Sequence, residues 1–290
     1  MSFVATPEEV EAFQRLSSDP RFSQELIALD FTTTPEFIKS VLPPNFEPGD
    51  SPTGHISVGT FESKLCGEFD CAIVSIDVKF KGQTGTYLLE LIVSGDMPVT
   101  WGREVWGEVK NTGTCKIWRS GNYRYAVAER NGIRLIELQG EFGDDQPPRV
   151  RENTAYEIKA YPHSMGKGLQ WEPKVNQLKV VEYDTRWSVG SGRITVRGTS
   201  SDPLHSIPIK SISDFTYVSG RSDYTVVADY NLGVTDAYLP YLVGRHYDDL
   251  RNFKVGIEWT YMEDEEHDPE PTLVQRLKTP AKNGSSGGLP

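Results

Sequence analysis

From Ala72 to Phe80 the chain reads Ala-Ile-Val-Ser-Ile-Asp-Val-Lys-Phe, with apolar residues at the even positions and Ser75, Asp77 and Lys79 among the odd ones. A period of two puts one strand face in a core and most of the other in water. Tyr87 to Val93 is a more continuous apolar run, suited to a strand covered on both faces. Tyr123 to Glu129 and Arg134 to Leu138 flank Asn131-Gly132, and Asn-Gly supplies the two positive φ angles of a type I′ hairpin turn. Further strands are predicted at 155–161, 174–183, 192–198, 212–218 and 223–230, with Gly190-Ser191-Gly192 as a turn. So many strands with turn signals between them predict a large curved antiparallel sheet, barrel-like in shape.

Helical signals are few, so the predicted class is α+β with peripheral helices. Thr6 as N-cap, Pro7 in the first turn and Glu9 at capping-box spacing start a helix over about 7–17. Thr34-Pro35-Glu36 repeats that signal, and Pro43-Pro44 stops the second helix. A third is expected from Val234 to about Leu242. Beyond Trp259 the acidic run from Glu263 to Glu270 and the Gly/Ser-rich end change the character of the chain. The expectation is one folded domain over 1–264 and an acidic, flexible tail over 265–290.

Composition excludes several partners. Lys+Arg 30 against Asp+Glu 41 gives a net charge of -11, which repels nucleic acid and anionic lipid. No run approaches the length of a membrane span and the N-terminus lacks a signal-peptide pattern, which points to the cytoplasm. Cys66, Cys71 and Cys115 are too few and too irregularly spaced for a disulfide framework or zinc site, and His55, His163, His205, His246 and His267 show no metal spacing. No metal is expected.

Candidate chemistry concentrates in Trp101-Gly-Arg-Glu-Val-Trp-Gly-Glu-Val-Lys110-Asn111. Gly102-Arg103-Glu104 followed by Lys110 resembles the active-site segment of the acetoacetate decarboxylase family, in which a lysine lies seven residues after the arginine. The resemblance extends upstream through Pro35-Glu-Phe-Ile-Lys-Ser-Val-Leu-Pro-Pro and Phe80-Lys-Gly-Gln-Thr-Gly-Thr-Tyr-Leu. Downstream it continues through Arg186-Trp-Ser-Val-Gly-Ser-Gly-Arg-Ile-Thr-Val and Asp202-Pro-Leu-His-Ser-Ile-Pro-Ile-Lys, and in all it spans roughly 25–230.

That resemblance implies a lyase that captures a small keto substrate through a Schiff base on Lys110, without a cofactor, in a homo-oligomer. The iminium withdraws electrons from the adjacent carbon, which permits decarboxylation of a β-keto acid and equally aldol, dehydration or cyclisation chemistry. The amine titrates at about 10.4 in water and must lose its proton to attack. Acetoacetate decarboxylase is the standing example of activation by a neighbouring cation and an apolar pocket. Here Asn111 stands where well-known members carry the second lysine. Burial remains, and by itself it can depress a lysine by up to about 3–5 pKa units. Trp106, Val109 and Tyr87 are candidate apolar walls, with Arg103 and Glu104 as local organisers.

Other positions depart from the pattern that the resemblance implies. Cys71 replaces a glutamate, Gln24 falls where an arginine would meet the substrate carboxylate, and Ile56 replaces an earlier strand glutamate. These losses weaken decarboxylation more than Schiff-base formation. Glu108 is an additional carboxylate, a proton shuttle if it faces the pocket, and otherwise solvent-exposed or paired with Arg103. Cys71 reads equally as a small buried apolar residue. A binding protein that keeps the cavity without the chemistry is the remaining alternative.

Overall fold

The computed structural model describes residues 2–233, 236–256 and 259–262. The tail over 265–290, His267 and the predicted helix start at Val234 lie outside the described residues. The strands are β1 (Arg21–Thr32), β2 (Phe46–Pro48), β3 (Thr53–Ser63), β4 (Gly67–Phe80), β5 (Gln83–Val93), β6 (Lys110–Thr112) and β7 (Thr114–Ser120). They continue as β8 (Tyr123–Arg130), β9 (Ile133–Phe142), β10 (Arg149–Lys159), β11 (Lys174–Val196), β12 (Ser211–Ile212), β13 (Phe215–Asn231) and β14 (Trp259–Met262). The helices are α1 (Pro7–Ser18), α2 (Pro35–Val41), α3 (Asp96–Trp101) and α4 (Leu239–His246).

All of these strands belong to one 14-stranded sheet, in which β10-β5-β4-β3-β1-β13-β11 are neighbours in order and β11 pairs again with β10. The path therefore returns to its start as a ring. The pairings are antiparallel except those of β10 and β6 with β5, which are parallel. β9, β8 and β7 continue from the far end of β11 as a meander and fold over the outside of β1, β3 and β4. Ile27, Leu29, Val58, Val74, Leu135 and Leu138 form the core between the two layers. A second core, including Ile38, Phe46, Tyr87, Tyr156 and Tyr238, closes one end of the ring beneath α2 and α4.

The capping box at Thr6 and Glu9 is present, and α1 and α2 start at Pro7 and Pro35 as their caps dictate. Asn131 and Gly132 have φ of 52° and 76° at the tip of the β8–β9 hairpin, as the Asn-Gly pair requires. Two readings of the strands change. The segments at 174–183 and 192–198 are one continuous strand, β11, and those at 212–218 and 223–230 fall mostly on β13. Gly190-Ser191-Gly192 is therefore no turn. It lies inside β11, where a Cβ at Gly190 or Gly192 would stand 2.2 Å from the carbonyl oxygens of Glu141 and Gln139. The glycines admit the close crossing of β9 rather than a chain reversal.

His55 joins three strands. Its Nδ1 lies 2.7 Å from Asp30 on β1 and its Nε2 2.9 Å from Asp77 on β4. Burial by itself would depress the imidazole, but the two carboxylates push its pKa up to about 9. A folded-state pKa above the unfolded value of about 6.5 gives stabilisation that is complete below that pH and is lost as pH rises through about 9. The urea midpoint is expected to fall between these limits, and to fall less in His55→Gln. Identical pH profiles for the two proteins would remove His55 from the account.

Candidate active site

After β5 the chain turns through α3 directly into a single π turn, Gly102–Trp106, and leaves it at Gly107 with φ of 88°. Single π turns interrupt helices where a backbone is held for a purpose, and this one is held from outside itself. Asn176 Nδ2 donates to the Trp106 carbonyl at 2.6 Å, Lys159 Nζ to that of Val105 at 3.2 Å, and Tyr161 Oη to that of Glu104 at 2.6 Å. β10, β11 and the segment between them thus fix the turn, and β6 follows it into place beside β5, with Lys110 opposite Leu91.

Consecutive strand residues face opposite sides. Lys110 faces the interior of the ring and is 5% exposed. Its Nζ forms an ion pair with Glu108 Oε2 at 2.8 Å and lies 5.8 Å from the ring centroids of Phe69 and Trp101. Glu108 is buried and faces the same space, so its partner is Lys110 rather than Arg103 or solvent. Asn111 points the other way. Its Oδ1 accepts from Arg103 at 2.7 Å and its Nδ2 donates to Glu90 at 3.2 Å. Arg103 Nε also donates to the Lys110 carbonyl at 2.6 Å. Arg103 and Asn111 therefore hold the backbone of Lys110 from behind and do not line the cavity.

The cavity has a volume of about 440 Å³, and its walls include Gln24, Ile56, Phe69, Cys71, Trp106, Glu108, Lys110 and Tyr224. Tyr87 is not among them. Thr86 and Leu88 face the cavity, and Tyr87, between them on β5, faces the end core against Phe46. Aromatic rings desolvate the lysine: Phe22 meets Phe69 at 6.1 Å and Tyr224 at 5.5 Å, and Trp106 meets Tyr224 at 5.5 Å.

Electrostatics here differ from a lysine activated by burial alone. Burial disfavours the ammonium, but the adjacent Glu108 carboxylate more than offsets this and holds the Lys110 pKa above its ordinary value. The resting amine is protonated and paired. Burial also pushes the Cys71 thiol up to about 12, so that it is neutral, as its reading as a small apolar residue anticipates. Behind the strand, burial pushes the Glu90 carboxyl up to about 8.

Gly102 is the residue of the site whose role the sequence did not reveal. A Cβ there would stand 2.3 Å from Glu108 Oε2 and 2.8 Å from Lys110 Nζ, so the ion pair occupies the space a side chain would take. Its position within the Gly-Arg-Glu segment was visible, but not that close approach. Phe22, Phe69 and Tyr224 come from β1, β4 and β13, and no local pattern ties them to Lys110.

The sequence profile of the acetoacetate decarboxylase family matches residues 1–231. The chain is 20% identical over 227 residues to the acetoacetate decarboxylase of Burkholderia vietnamiensis, covering 76% of this chain and 87% of that protein. Among solved structures, acetoacetate decarboxylase from Legionella pneumophila superimposes with a TM-score of 0.62 at 17% identity, over 73% of this chain and 88% of that one. The enduracididine biosynthesis enzyme MppR, complexed with the condensation product of pyruvate and imidazole 4-carboxaldehyde, superimposes with a TM-score of 0.63 at 17% identity, over 82% and 96%.

Because Glu108 offsets burial, Glu108→Gln should lower the Lys110 pKa below its ordinary value. The rate at which acetic anhydride modifies Lys110, followed against pH by peptide mapping, is expected to move to lower pH in the variant. A profile that stays put or moves upward would contradict the pairing. Gly102→Ala should separate the pair and slow any reaction that needs both groups by about 100-fold or more, the scale of general acid–base catalysis.

Proposed function

The chain belongs to the acetoacetate decarboxylase family, and from that premise we propose that it is a lyase that binds a keto substrate as a Schiff base on Lys110, with Glu108 moving the protons. The observation that carries this reading is the Lys110–Glu108 ion pair at 2.8 Å, facing a cavity walled by Phe22, Phe69, Trp106 and Tyr224.

The protonated amine transfers a proton to Glu108, and the neutral amine attacks the ketone carbon to give a carbinolamine. Glu108 returns its proton to the departing hydroxyl, which leaves as water, and the iminium stands beside the restored carboxylate. Each protonation state of the pair is thus used once, and the buried charge separation is the same before and after. The iminium then accepts the electron pair of a breaking carbon–carbon bond. In a β-keto acid that bond releases carbon dioxide and leaves an enamine, which is protonated on carbon before water hydrolyses the imine. The iminium is the electron sink, so no cofactor is required in this scheme.

A second reading is favoured by the chemistry beside the lysine. Gln24, Ile56 and Cys71 line the cavity where carboxylate-handling groups were expected, and the Cys71 thiol is neutral. Such walls suit removal of a proton from the carbon next to the iminium by Glu108, followed by attack of the enamine on an aldehyde and loss of water. The enzyme is then an aldolase or dehydratase on the same iminium.

Borohydride added with a keto acid or a β-diketone is expected to fix the ligand on the peptide containing Lys110. Lys110→Ala should abolish adduct and turnover. Lys110→Arg should do the same, since guanidinium stays charged. Carbon dioxide release from β-keto acids favours decarboxylation, and condensation of pyruvate with an aldehyde favours the second reading. Failure of several ketones to give any adduct up to pH 9 would leave a ligand-binding protein as the better account.

A further inference from the structure

The cavity is larger than a four-carbon keto acid requires. Its volume of about 440 Å³ falls within the range of roughly 300–1,000 Å³ that encloses much larger ligands. Besides Lys110 and its aromatic walls, the same cavity is lined by Arg149, Arg151 and Glu182, contributed by β10 and β11. The two arginines are held differently. Arg151 is neutralised on both sides, with Nε donating to Asp184 at 2.8 Å and an amino group 2.9 Å from Glu182.

Arg149 donates through Nε to the fully buried Asp184 at 2.7 Å, and its guanidinium lies 3.7 Å from the Trp187 ring centroid. Among the described residues, its two terminal amino groups have no hydrogen-bond partner. The Nε bond and the stacked ring fix the plane of the guanidinium and leave the pair of donors that engages a carboxylate in bidentate fashion. Burial pushes the Glu182 carboxyl above its ordinary value, against the pull of the adjacent Arg151.

Gln24 belongs to the same part of the cavity: it lies opposite Gly220 on β13, which in turn lies opposite Asp184 on β11. It is 5% exposed, and its amide lies beside the Glu182 carboxyl, whose charged form it helps to stabilise. A ligand oxygen that enters this part of the cavity meets the Gln24 amide as a donor beside Glu182.

We infer that the substrate is an extended ketone with an anionic group remote from its carbonyl: the carbonyl at Lys110, an intermediate oxygen at Gln24 and the anion on Arg149. The inference rests on the proposal that Lys110 captures a ketone. Arg149 is then a specificity-determining residue, and the anion site lies on β10 instead of beside the amine.

The test uses methyl ketones of increasing chain length that end in a carboxylate, each with its primary amide as neutral twin. Binding is measured by calorimetry, and capture by borohydride reduction onto Lys110. At the chain length that spans the cavity, the carboxylate is expected to bind about 10- to 100-fold more tightly than the amide, the scale of a charge-assisted hydrogen bond. Arg149→Gln should remove that preference by bringing the affinity for the carboxylate down to that for the amide, while Arg151 still partners Asp184. Arg149→Lys should retain part of it as a point charge. Equal binding of acid and amide at every length, or a preference that survives Arg149→Gln, overturns the inference. Should Arg149→Gln not fold, a wild-type preference that is undiminished in Arg149→Lys would overturn it as well. If no ketone is reduced onto Lys110 yet the carboxylates still bind selectively through Arg149, the Schiff-base proposal fails and the anion site stands.

Discussion

Closure of the strand ring by β10 is the constraint on which the rest depends. β10 pairs along its whole length with β11, but meets β5 through two residue pairs, Ala155 with Thr86 and Tyr156 with Tyr87. A parallel contact that short is weak by itself, and packing secures it. Tyr156 is fully buried, donates to the Gln83 carbonyl at 3.0 Å and packs against Phe46 and Phe80. Without this closure β5 and β11 would present open edges, and the space between them would fill with water. Lys110, Glu108 and the aromatic walls take their character from being enclosed.

Enclosure makes the ion pair consequential. Two charges removed from water are stable only when each supplies what the other has lost, and a buried lysine without its carboxylate would discard its proton. In this chain Glu108 holds the Lys110 amine charged at rest. The second lysine of the well-known members would be misplaced here, because position 111 faces Arg103 and Glu90 behind the strand. In the proposed reaction the amine is freed by proton exchange within the Lys110–Glu108 pair rather than by repulsion between cations.

Legibility along the chain followed the exposure of strand faces. The segment from 72 to 80 and the Asn131-Gly132 hairpin alternate clearly because one face of each meets water over part of its length. β1 could be given no bounds from the sequence because neither face does so through its centre: Leu26 and Ala28 line the cavity while Ile27 and Leu29 pack under the meander, so the pattern there is simply apolar. The same blindness split β11 at Gly190, since a glycine admitted for a close crossing and a glycine in a turn look alike in one dimension.

The sequence by itself determined the capped helices, the strand-rich class and the segment that carries Lys110, because caps, turns and period-two patterns are local and each residue's neighbours in the chain decide them. It also brought Gln24, Cys71 and Ile56 forward as residues to explain, and all three line the cavity. Only the tertiary structure decided which way each site residue points. It turned Asn111, Arg103 and Tyr87 away from the cavity, set Glu108 against Lys110 across the space that Gly102 leaves open, and brought Arg149 to the same enclosure from another strand. Those choices depend on the register and closure of strands far apart in the chain, and contacts of that kind leave no periodic trace.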